Sequence, residues 1–132
     1  MARQILNVLE LQAQLDDDQI RTLVHRFYDR VQQEPLLGPV FARRIAADAW
    51  PAHLDKMERF WSTILRGSNR YVGDPMAAHL PLGIDADHFT RWLALFREVA
   101  EATLPLPIAD SILQRAERMR GTLLRAIERA RA

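Results

Sequence analysis

Four side chains in this 132-residue chain combine useful chemistry with places on or near apolar helical stripes: Tyr28, His53, His79 and Trp92. An imidazole can ligate a metal through a ring nitrogen or donate a hydrogen bond, and phenol O–H and indole N–H groups are donors. His79 stands on the most constrained stretch. Asp74 suits a helix cap and Pro75 a first helical position, while Pro81 and Gly83 end the helix almost at once. A helix of little more than one turn does not persist alone. Either His79 anchors it by holding a metal cofactor, or the imidazole closes a hydrogen bond at a helix end.

The elements that must position these groups follow from apolar spacing. The segment Ile5–Leu15 reads as a short helix or an arm. Asp16 to Asp18 open a helix that runs from about Asp18 to Gln33, with Ile20, Leu23, Val24, Phe27, Tyr28 and Val31 on its buried stripe. At about 100° per residue, Tyr28 falls at the edge of that stripe and His25 outside it, in solvent. Glu34 and Pro35 end this helix. The apolar corner from Leu36 to Phe41 reads as a short, turn-like helix that pushes Phe41 inward.

A third helix is predicted from Asp48–Pro51 to Arg66–Gly67, with Asp48 as cap and Gly67 as stop. Its stripe holds Trp50, Leu54, Met57, Phe60, Trp61, Ile64 and Leu65, and His53 shares this face one turn before Met57. A histidine among large apolar groups needs partners for its ring nitrogens. Asp85 or Asp87 caps a helix to about Thr103, striped by Phe89, Trp92, Leu93, Phe96, Val99 and Ala100, with His88 in its exposed first turn. Pro105 and Pro107 break the chain before a last helix over about Ile108–Arg129. No alternating strand pattern occurs, so the expected class is all-α.

Composition excludes several functions. The chain fits one domain, 48% of it is apolar, and its net charge is +1 with both signs interspersed. A dedicated nucleic-acid binder needs a basic stripe, which is missing. There is no cysteine, hence no thiolate metal site or covalent c-type haem attachment. The first residues have no signal-peptide core and no run is long and apolar enough to span a membrane, so the expected location is cytoplasmic.

Tyr28, His53, His79 and Trp92 come from four different helices, and Phe27, Phe41, Phe60, Trp61, Phe89 and Phe96 surround them in the stripes. A haem requires such a slot, with an imidazole for iron and apolar walls for the porphyrin. Periodicity alone leaves a second reading open, since aromatic stripes at helical spacing also build plain cores.

Order and spacing add information. Phe27-Tyr28-Asp29-Arg30-Val31, Leu36-Leu37-Gly38-Pro39-Val40-Phe41 and Trp50-x-x-His53 followed by Met57 and Phe60-Trp61 resemble the truncated haemoglobins. So do Tyr71-x-Gly73-x-Pro75-Met76-x-x-His79 and Phe89-x-x-Trp92-Leu93-x-Leu95-Phe96, and the match is nearest to the third group of that family. The resemblance is close from about Asp18 to Phe96 and looser over the last helix. It implies a single domain over residues 1–132, a two-over-two helical sandwich around b-type haem (iron protoporphyrin IX). It implies His79 as the iron ligand and Tyr28, His53 and Trp92 as distal donors. Phe41, Met57, Trp61, Tyr71, Met76, Phe89 and Phe96 are its implied haem contacts. Lys56, Arg70 and Tyr71 are basic or hydroxyl candidates for the haem carboxylates.

The function so implied is binding of dioxygen or another diatomic ligand at iron, in a monomer or weak dimer served by a reductase. The same donors suit a haem-dependent peroxidase or nitric-oxide detoxification. The reading from a different class is a haem-free helical interaction module whose grooves are filled by its own aromatics.

Overall fold

A computed structural model describes residues 5–71, 73 and 83–131. These residues form six α-helices: α1 (Val8–Gln14), α2 (Asp17–Gln33), α3 (Gly38–Arg44), α4 (Trp50–Arg66), α5 (Ala86–Thr103) and α6 (Leu106–Arg131). A single 3-10 turn, Ala47–Ala49, leads into α4. The proposed short helix over 74–80, with Met76 and His79, lies outside the described residues.

Local chemistry explains most boundaries. The Asp16 side chain accepts from the Gln19 N–H at 2.8 Å while the Gln19 side chain accepts from the Asp16 N–H at 2.9 Å, a reciprocal box that satisfies two donors at the start of α2. Asp85 caps α5, accepting from the Asp87 and His88 N–H groups at 3.0 and 3.4 Å. Gly67 closes α4 in the left-handed region at φ 64°, where a side chain would be strained.

Asp48 does not cap α4 as expected. It sits inside the 3-10 turn, and the capping position is Ala49, without a side-chain bond. The last helix starts earlier than its apolar stripe, at Leu106, because the Pro105 carbonyl accepts from Ile108 and Ala109 at 3.1 and 2.9 Å. Pro107 fits the first turn, whose N–H groups lack intrahelical partners anyway.

The architecture is a two-over-two sandwich. α2 pairs with α4, α5 pairs with α6, and α2 also packs on α5. The main core joins Leu23, Val24, Phe27 and Val31 of α2 to Leu65 of α4, Phe96 and Ala100 of α5 and Ile112 of α6. The opening segment is an ordered helix. Asn7 caps α1, Leu11 and Leu15 are buried, and the Leu6 N–H donates to Ser111 Oγ at 2.6 Å. A smaller cluster of Val40, Ile84, Phe89 and Ile127 forms a second apolar body.

Candidate functional site

α2, α3 and α4 bring four rings together. The Tyr28 and His53 ring centroids lie 5.4 Å apart and nearly perpendicular. Phe41 is 5.8 Å from Tyr28 and 6.5 Å from His53. Trp50, one turn before His53 on α4, stands 5.4 Å from His53 and 5.9 Å from Tyr28. Phe41 is half-buried on α3, as the apolar corner suggested.

Electrostatics keep this group neutral. Tyr28 is 4% exposed, and burial raises its pKa far above the usual phenol range. Burial, then the positive charge of Lys56, hold the His53 imidazole below its ordinary value. His53 Nε2 is buried and has no hydrogen-bond partner among the described residues. A buried polar atom left unpaired costs about 1–3 kcal/mol, so it signals a ligand or function at that point.

Trp92 belongs to an adjoining aromatic stack. It lies 5.0 Å from Phe27, 4.8 Å from Phe96 and 6.4 Å from Trp61. Phe27 joins the two groups, since its ring is also 5.1 Å from Tyr28. Trp61 and Phe96 are buried and stacked at 5.2 Å, while Met57 is half-buried against the same core. Phe89 sits apart in the second cluster.

Tyr71 is fixed from two sides. Thr63 Oγ1 accepts from both the Arg70 and Tyr71 N–H groups at 2.9 Å and donates to the Arg59 carbonyl at the same distance. The Tyr71 ring meets Phe60 edge-on at 5.0 Å. A Cβ at Gly73 would come within 2.6 Å of the Tyr71 hydroxyl, so only glycine permits this approach. Arg70 is engaged with Asp17 at 3.2 Å, and Lys56 is exposed on α4.

Two histidines differ from expectation. His88 is not in free solvent: its ring is half-buried and completes the α5 cap, with Nδ1 3.0 Å from Asp85 Oδ1. His25 keeps substantial exposure but faces Glu58 at 3.5 Å. The sequence reading placed Phe27 among the surrounding aromatics but missed Trp50 as a member of the site. Its signal was present, because Trp50 shares a face with His53.

The helical sandwich is that of a globin. A family model described as bacterial-like globin matches residues 16–125, and the chain belongs to that family. It is 32% identical over 106 residues to the group 3 truncated hemoglobin ctb of Campylobacter jejuni, covering 78% of this chain and 84% of that one. It is 29% identical over 92 residues to the group 2 truncated hemoglobin YjbI of Bacillus subtilis, covering 66% of each. The crystal structure of the group III truncated hemoglobin from Campylobacter jejuni superposes with a TM-score of 0.81 at 29% identity, over 86% of this chain and 91% of that one. The third-group resemblance in the motifs agrees with the Campylobacter jejuni relative, which is more similar than the group 2 one. No helix among the described residues is long and apolar enough to cross a membrane.

Proposed function

We propose that this chain binds b-type haem through His79 and uses Tyr28, His53 and Trp92 as distal hydrogen-bond donors for dioxygen or another diatomic ligand. The observation that carries the reading is the buried, unpartnered His53 Nε2 beside the buried phenol of Tyr28. A haem-free module would gain nothing from an orphaned nitrogen in its interior. Membership of the globin family supports the haem reading over that module.

The residues fit the group. Haem, held by His79, would supply an iron that binds a diatomic ligand. Neutral Tyr28 O–H and His53 N–H offer hydrogen bonds to partial negative charge without placing an ion in the slot. Phe41 and Trp50 surround them and exclude water, which strengthens those bonds. Thr63 and Gly73 hold Tyr71 just after α4, where its hydroxyl would be a partner for the haem carboxylates. Met57, Trp61, Phe89 and Phe96, with Met76, complete the apolar walls. Such donors slow ligand loss, so reversible binding or sensing suits the site better than rapid delivery. Electrons to keep the iron reduced come from a cytoplasmic reductase.

The test is haem retention by His79→Ala. The substitution is expected to weaken haem binding by more than about tenfold, the least effect seen when even a supporting partner of a metal ligand is lost. Unchanged affinity and an unchanged absorption spectrum would contradict the assignment.

A further inference from the structure

Tyr28 and His53 Nε2 are both buried, so a ligand from solvent must pass a side chain that can yield. Trp50 is half-buried and has two different neighbourhoods. Its ring meets Tyr28 and His53. It also lines a surface hollow of about 300 Å³ at the α3–α4 corner. Ala42, Ile45, Ala46 and Ala47 form most of the remaining lining, and Gln32 supplies a polar edge. The Gln32 amide donates back to the Tyr28 carbonyl at 3.2 Å, so the hollow abuts the turn of α2 that carries Tyr28. Ala42, Ala46 and Ala47 are exposed, so the hollow meets solvent.

We propose that this hollow is the access route for a small neutral gas and that Trp50 is the residue that controls passage to the Tyr28–His53 pair. The inference rests on the haem reading above. The small Ala42, Ala46 and Ala47 side chains leave room in the hollow, and its mixed lining offers no charged group to hold a hydrated ion, which suits a small neutral molecule. A half-buried indole changes rotamer far faster than a helix moves, so passage needs no rearrangement of the sandwich. Trp50 acts on arrival of the ligand, whereas Tyr28 and His53 act on its retention.

The experiment uses the haem-loaded, reduced protein and follows carbon monoxide rebinding after flash photolysis. Trp50→Ala is expected to raise the bimolecular association rate several-fold. Ala46→Trp, an exposed change that fills the hollow without disturbing the core, is expected to lower it several-fold. A second readout is independent of rebinding: in the carbon monoxide complex, xenon pressure should shift the methyl resonances of Ala42, Ile45 and Ala46, and Ala46→Trp should abolish the shift. Association rates unchanged in both variants would overturn the proposal, as would acceleration by His53→Ala with no response to either hollow variant. Failure of the wild-type protein to bind haem would instead overturn the reading on which the proposal rests, and the proposal with it.

Discussion

His53 concentrates the chemistry of the site in one atom. Its Nε2 has no partner among the described residues, and its ring neighbours there are Tyr28, Phe41 and Trp50. Burial, followed by the nearby Lys56 charge, lowers its proton affinity in the folded state. The unfolded chain therefore binds the proton first. Stability is fully present above the ordinary histidine value of 6.5 and is lost as pH falls from there through the lower folded-state value. Urea midpoints measured across that range should fall further for the wild type than for His53→Leu. Parallel curves would mean that His53 is not held neutral by its surroundings. The sequence placed this histidine on the buried face of α4 but left its partners open, since a period of 3.6 residues reports direction and not what lies opposite.

At the scale of elements, the corner between α2 and α3 aims Phe41 at the site, and Glu34 holds that corner. Its carboxylate accepts from the Leu36 and Leu37 N–H groups at 2.8 and 2.6 Å and from Arg91 Nε on α5 at 2.9 Å. Burial alone would raise its pKa, but the Leu37 N–H, Arg91 and the Leu36 N–H together bring it below the ordinary value. This contribution is present above 4.5 and lost as pH falls through the lowered value. Glu34→Ala removes the acceptor of two backbone donors and should cost about 2 kcal/mol in urea unfolding at neutral pH. An unchanged midpoint would show that water replaces the carboxylate freely.

The sequence read Glu34 only as a helix end before proline. Its side-chain partner, Arg91, lies 57 residues away, beyond any local pattern. The long helices were legible for the opposite reason: α2, α4 and α5 carry sustained apolar stripes, with Asp16, Gly67 and Asp85 at their ends. Asp48 misled because a polar residue before a stripe looks like a cap even when a 3-10 turn intervenes.

For the whole molecule, the sandwich explains why so few residues suffice. α2 lies across both helix pairs and contributes Phe27 and Tyr28 to adjacent aromatic groups. Phe27, Trp61, Trp92 and Phe96 make a rigid stack beside the Tyr28–His53 pair, so the site is supported by packed core and not by loops. The all-α class was legible because every long helix carries an apolar stripe, and the order of the motifs implied the nearness of Tyr28, Phe41 and His53. The bridging place of Phe27 and the two neighbourhoods of Trp50 required the packing of α2 on α4 and α5.

Haem binding through His79, with Tyr28 and His53 as neutral donors, is the proposed chemistry of this sandwich. The most direct measurement is the absorption spectrum of the purified, haem-supplied protein, ferric and then reduced under carbon monoxide. The account predicts a strong Soret band at about one haem per chain that shifts sharply when carbon monoxide is added. A chain that takes up no haem, or one whose reduced spectrum ignores carbon monoxide, would contradict it.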